Sequence, residues 1–115
     1  MNISFEDFKK LDLRVGKILK VEEHLSADKL YLVTVDLGQD LEGKAVEKTL
    51  VAGIRAHYSK EELLGKLVIV VNNLEPAVIR GVESCGMILA ASDKDKKHVI
   101  VLTPDKPIVS GSKVS

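Results

Sequence analysis

The chain has 115 residues, 45% hydrophobic and 30% charged, enough apolar material for the core of one domain under a well-solvated surface. Lysine plus arginine and aspartate plus glutamate both number 17, so the formal net charge is zero, which argues against a non-specific polyanion binder that relies on a global basic excess. The single cysteine, Cys85, excludes an intrachain disulfide and a Cys-rich zinc site. No apolar run has the length of a membrane span, and the first residues lack a signal-peptide pattern, so a reducing, cytoplasmic setting is expected.

In chain order, Ser4-Phe5-Glu6-Asp7 carries an N-cap signal and predicts a short helix over residues 5–10, with Phe5, Phe8 and Leu11 on one face. From Leu11 the period becomes two. Leu11, Leu13, Val15, Leu19 and Val21 are apolar on odd positions, with Lys17 and Ile18 as misfits and a bulge or bend expected at Gly16. A second strand is expected over Leu30–Leu37 and a third over Val46–Ala52, joined as a hairpin by the charged turn Gln39–Lys44. Ser59 through Gly65 has the pattern of a second capped helix ending in a left-handed glycine. Leu67–Val71 is continuously apolar and predicts a strand buried on both faces, with Pro76 breaking the chain after it. Met87–Ala91 and Val99–Leu102 read as a pair around the turn Asp93–Lys97. Pro104 and Pro107 mark an extended tail before Ile108 and Val109.

The order is three strands, a short helix, then two strands, without βαβ spacing. That predicts an all-β fold, a five-stranded OB-fold β-barrel with short helices at the N-terminus and between strands 3 and 4. With no repeat or linker, residues 1–115 are expected to form a single domain.

No catalytic constellation emerges. His24, His57 and His98 lack metal-ligand spacing to each other or to Cys85, and their plain reading is surface or satisfied loop residues. Cys85 has no Cys-His signature around it and reads as a small, partly buried thiol. The glycine turns at Gly53 and Gly81 lack phosphate-loop spacing. No cofactor or metal is expected. Basic residues cluster at Lys9, Lys10, Arg14, Lys17 and Lys20 and again at Lys94, Lys96 and Lys97, each run reading first as a solvated face. Phe5, Phe8, Tyr31 and Tyr58 are the only aromatics, and the phenylalanines look committed to packing, which disfavours a general single-strand binder. A folded RNA held through backbone and a few base edges stays open. The stretch from Asn72 to Leu89 places Asn73, Arg80 and Ser84 between apolar strands. Its plain reading is a turn-rich crossover.

Taken together, several ordered segments carry a resemblance. They are Leu11–Ile18, Ala27–Leu30, Val35–Gly38, Leu50–Ile54, Glu61–Lys66, Asn73-Leu74 with Pro76, and Arg80-Gly81 through Ser84 to Gly86–Leu89. The chain resembles the tRNA-binding domain family, the OB-fold module at the C-terminus or in the separate β subunit of methionyl-tRNA synthetases and in free-standing tRNA-binding proteins. The resemblance implies a non-catalytic module that binds the outer corner of tRNA with little sequence preference and raises a synthetase's affinity for it. It implies RNA-facing roles for Lys29, Asn73, Arg80, Ser84 and Met87. Arg80 would fork onto a phosphate or stack on a base, Lys29 would supply a point charge, and Asn73 and Ser84 would hydrogen-bond sugar or base edges. Implied partners are tRNA, a second copy as homodimer, and a methionyl-tRNA synthetase catalytic subunit, with no membrane. The apolar start (Phe5, Phe8, Leu11) and tail (Ile108, Val109) fit dimerisation.

There are departures from the family pattern. Glu75 stands where many relatives carry a basic residue, Leu25 replaces a common proline, and Ala52 replaces a common serine. An alternative reading on the same fold is a secretion-associated, chaperone-like peptide binder, against which Asn73-Leu74 and Gly86–Leu89 favour the tRNA-binding branch.

Overall fold

Alternation along one strand sets the interior of the molecule. In the computed structural model, which describes residues 1–115, β2 (Tyr31–Gln39) buries Tyr31, Val33, Val35 and Leu37 and leaves Leu32, Thr34 and Asp36 half-exposed between them. Its hairpin partner β3 (Ala45–Ala52) pairs antiparallel, from Tyr31 opposite Ala52 to Gln39 opposite Ala45. The charged turn between them is held by Asp40, whose Oδ1 accepts from the backbone N–H of Glu42 and Lys44, each at 2.9 Å. β2 begins one residue later and ends two residues later than its sequence-based bounds, and β3 begins one residue earlier.

The strand β1 (Leu13–Glu23) corrects the odd-position reading. Gly16 and Ile18 turn toward the main core, while Leu13 and Val15 are buried outside that cluster, on the opposite face. The register against β2 shifts between Ile18 and Lys20, so the bulge falls at Leu19 rather than at Gly16. The extra residue returns Val21 to the interior and leaves Leu19 43% exposed. Gly16 stays in register opposite Val68. A Cβ there would sit 3.2 Å from side-chain atoms of Leu37 and Val70, so its absence lets the sheet close tightly over the strand.

Residues 13–17 of β1 pair with β4 (Leu67–Val71) and residues 17–23 pair with β2, so one long strand joins two parts of a curled sheet. The order is β3-β2-β1-β4-β7, where β7 is Met87–Ile88. Val68 and Val70 are fully buried, but Leu67 and Ile69 are only half-buried, so β4 is sealed on one face and partly open on the other. A core of 13 buried residues, centred on Ile18, Val33, Val35, Leu50, Val68 and Val70, fills the half-barrel.

Between β3 and β4 sits α2 (Lys60–Leu63), as expected. Ser59 Oγ accepts from Glu62 N–H at 3.2 Å while Glu62 Oε1 accepts from Ser59 N–H at 2.8 Å, a complete capping box. Leu63 has no exposed surface and packs into the core. The N-terminal helix α1 is shorter than expected, Phe5–Phe8, capped by Ser4 Oγ on Asp7 N–H at 3.1 Å. Phe5 is 70% exposed, so the expectation that both phenylalanines are committed to packing fails for Phe5 in the single chain.

The crossover after Pro76 is itself a hairpin, β5 (Ala77–Ile79) with β6 (Val82–Ser84). It meets β3 where Cys85 N–H donates to Thr49 O at 3.2 Å, a contact across the open side of the half-barrel without a regular ladder. Gly86 sits at this junction; a Cβ there would lie 2.8 Å from Val71 O. The pair predicted over Met87–Ala91 and Val99–Leu102 divides: Met87 and Ile88 join β4, and only β8 (Ala90–Ser92) pairs with β9 (Val99–Val101). The tail closes as β10 (Lys113–Val114) on β1, a strand that two residues of pattern did not announce. The fold is all-β and OB-like.

Candidate nucleic-acid interface

Two loops distant in sequence meet at one end of the barrel. The first is the connection from β1 to β2, residues 24–30, closed by His24 N–H donating to Leu30 O at 3.2 Å and Leu30 N–H to Ala27 O at 3.4 Å. The second is the β5–β6 hairpin, whose two central residues are Arg80 (φ 52°) and Gly81 (φ 85°). Positive φ at both positions is what a type I′ turn requires, and Asn-Gly is its preferred sequence. Gly81 meets the requirement without cost. Arg80 holds the left-handed region at roughly 1–2 kcal/mol.

The guanidinium of Arg80 reaches across to the first loop, where its Nη2 donates to Ser26 O at 3.0 Å. Arg80 and Lys29 line one shallow open pocket with Ala27, Asp28 and Leu30. Both side chains are exposed, and neither forms an ion pair. Arg55 supports the loop from below. Its backbone N–H donates to Lys29 O at 3.3 Å, its Nη1 to Ala27 O at 3.4 Å, and its Nη2 pairs with Glu23, which Lys60 also reaches. Arg55 and Glu23 carried no motif that sequence reasoning could isolate.

The other three expected RNA-facing residues do not join this pair. Asn73 is exposed, but its amide staples the N-terminal segment: Oδ1 accepts from Asp12 N–H at 2.9 Å and Nδ2 donates to Lys10 O at 2.7 Å. Ser84 is 3% exposed, and its hydroxyl accepts from Val51 N–H at 2.9 Å and donates to Gly86 O at 3.1 Å. In this structure the Ser84 hydroxyl is turned into the β3–β6 junction, out of solvent, with its one donor used and one bond accepted, rather than toward an exposed RNA-facing surface. Met87 is 45% exposed on β7, opposite Val71.

The basic runs separate by their partners. In the early run Lys9 pairs with Glu6, Lys10 with Asp7, Arg14 with Asp12 and Lys20 with Glu22, while Lys17 is unpaired. In the late turn Lys94, Lys96 and Lys97 have no ion pair; Asp93 is engaged by His98 at 2.6 Å, which holds its carboxyl below the ordinary range. Partial burial opposes ionisation of Asp12, but the hydrogen bond from Asn72, the Arg14 guanidinium and Lys113 outweigh it and lower its pKa. The Cys85 thiol is pushed up by desolvation and by the Glu83 carboxylate, the direction opposite to an activated nucleophile. His24, expected as a surface or satisfied loop residue, is 4% exposed, with Nδ1 accepting from Ser26 N–H at 3.0 Å. No cluster of three or more His, Cys, Asp or Glu is placed to hold a metal ion. No helix is long and apolar enough to cross a membrane.

An OB-like barrel that gathers an unpaired arginine and lysine from two loops at one end defines a small binding module. The chain belongs to the family described as "Putative tRNA binding domain", whose model matches residues 13–113. Among curated relatives, the methionine–tRNA ligase of Pyrococcus horikoshii is 55% identical over 112 residues, covering 97% of this chain and 14% of the ligase. That of Nanoarchaeum equitans is 53% identical over 112 residues, covering 97% of this chain and 13% of the ligase. The chain thus spans about a seventh of the length of these relatives. Among solved structures, a MetRS-related protein from Pyrococcus horikoshii superposes with a TM-score of 0.88 at 33% identity, covering 100% of this chain and 99% of that one. The CsaA chaperone protein of Picrophilus torridus superposes at 0.84 with 35% identity, covering 99% of this chain and 100% of that one.

Proposed function

We propose that this chain is a non-catalytic module that binds tRNA in the cytoplasm by its shape, with little sequence preference, and raises the tRNA affinity of a methionyl-tRNA synthetase catalytic body. The observation that carries this reading is Arg80. The hairpin tip keeps an arginine in a strained conformation where asparagine or glycine is favoured. It aims the guanidinium at the loop that carries Lys29. A guanidinium bonded to one neutral carbonyl keeps donors for phosphate or a face for a base. Lys29 adds a point charge beside it, and Met87 offers an exposed apolar contact. Asn73 acts by fixing the start of β1, and Ser84 by fixing the base of the hairpin. The low aromatic count and zero net charge limit the interface to a few contacts with a shaped RNA.

The test is a filter-binding titration of tRNA against the chain and its Arg80→Ala variant. The expected result is a loss of about tenfold, the scale of one charge-assisted contact, with unchanged circular dichroism. Equal affinities would remove Arg80 from the interface.

The CsaA likeness favours a second reading, peptide binding on the same barrel. Protection of an aggregating substrate without any tRNA mobility shift would put that reading first. Pairing as a homodimer belongs to the same proposal: Phe5, Phe8, Leu11 and Val114 line an apolar groove, and Val109 is 77% exposed.

A further inference from the structure

The loop that carries Lys29 hangs on one buried side chain that no part of the tRNA reading uses. His24 lies at the end of β1, 4% exposed. Its Nδ1 accepts the Ser26 backbone N–H at 3.0 Å, and the backbone N–H of His24 donates to Leu30 O at 3.2 Å. Because Ser26 N–H points at Nδ1, that nitrogen is bare, and the ring hydrogen sits on Nε2. Nε2 is buried and has no partner. A buried N–H without an acceptor is destabilising, and an apolar side chain of similar size would avoid it. What the imidazole provides in return is the bond to Ser26 N–H, a donor that a leucine would leave unmet.

Ser26 is the residue whose carbonyl holds Arg80, at 3.0 Å. The next carbonyl, Ala27 O, takes Arg55 at 3.4 Å and Leu30 N–H at 3.4 Å. Ser26 is therefore held on both sides: its N–H, in the Leu25–Ser26 peptide, by His24, and its carbonyl, in the next peptide, by Arg80. We infer that His24 is a positioning residue of the tRNA interface: through Ser26 it sets where Arg80 and Lys29 stand relative to each other, without touching RNA itself. This inference rests on the tRNA reading above.

The experiment measures tRNA affinity for the wild type, His24→Leu, His24→Asn, Arg80→Ala and the His24→Leu/Arg80→Ala double variant, with thermal melting of each. Asparagine offers an acceptor oxygen in the place of Nδ1; leucine fills the volume and offers none. The expected loss for His24→Leu is about threefold to tenfold, the scale of one hydrogen bond. His24→Asn should recover to within about twofold, a rescue that mere core filling would not give. In the Arg80→Ala background, His24→Leu should cost markedly less than in the wild type, because the two act through one residue, Ser26. Equal affinity of His24→Leu and wild type, or full additivity with Arg80→Ala, would overturn the inference. Long-range ¹H–¹⁵N correlation on the wild-type imidazole is independent of how the variants fold. It should show the Nε2–H tautomer, and the Nδ1–H tautomer would also overturn the inference. Failure of the wild type to bind tRNA at all would instead sink the functional reading, while the tautomer would still report on the loop.

Discussion

Under the proposed function, Arg80 is the position where RNA binding and stability pull apart. Its φ of 52° is a conformation that arginine occupies at a cost and asparagine occupies readily. Arg80→Asn should therefore raise hairpin stability by up to about 1 kcal/mol and weaken tRNA binding at the same time. Paired melting and binding curves check this; a variant that loses both would mean the side chain is structural. The resemblance named Arg80, but its strain was not legible in the sequence, because Arg80-Gly81 could equally have been a loop. Lys29 was legible only through the family pattern. Ser84 was named for its hydroxyl, and no linear signal could show that Val51 N–H, 33 positions away, consumes it. Asp12 carries a different prediction. Its folded pKa is lowered by Asn72, Arg14 and Lys113, so its contribution is present above the ordinary carboxylate range and disappears as pH falls through the lowered value. The acid limb of melting temperature against pH should flatten in Asp12→Asn, and an unchanged limb would argue that the tie between β1, Asn72 and Lys113 does not form in solution.

α2 and β2, whose signals are wholly local, were read correctly, whereas α1, β1 and β4 were read only in part and the short tertiary pairings not at all. The capping box of α2 and the alternation of β2 are properties of neighbouring residues, and both appear where the pattern put them. Ser59→Ala should lower stability by about 1 kcal/mol, since it leaves one helix N–H without its cap, and chemical denaturation measures it. β1 failed by parity. A bulge at Leu19 reverses which positions face the core, and a bulge depends on the partner strand rather than on the run itself. β5, β6 and β10 are two or three residues long, too short for periodicity to register. They exist because the crossover and tail find edges to pair with. His24 belongs here as well: a histidine followed by leucine and serine gives no hint that it is the buried post of a loop.

At the scale of the whole molecule, charge placement matters more than charge total. The early lysines are largely offset by neighbouring carboxylates, whereas Lys29, Arg80 and the turn lysines Lys94, Lys96 and Lys97 are not. A neutral chain can thus still present local unpaired cations, Lys29 and Arg80 among them in one pocket, and under the proposed function binding should depend on salt through a few phosphates only. The family and its OB-like barrel were legible because many weak segments fall in one order along the chain. The convergence of two loops was not, because it is created by the curl of β1. The most direct measurement is the dependence of tRNA affinity on salt for the wild type and for the Lys29→Ala/Arg80→Ala double variant. Each lost phosphate contact reduces the log–log slope by roughly 0.7–0.9, so the double variant should show a slope shallower by about 1.5 together with weaker binding. Identical slopes in the two proteins would contradict an RNA interface built on Lys29 and Arg80.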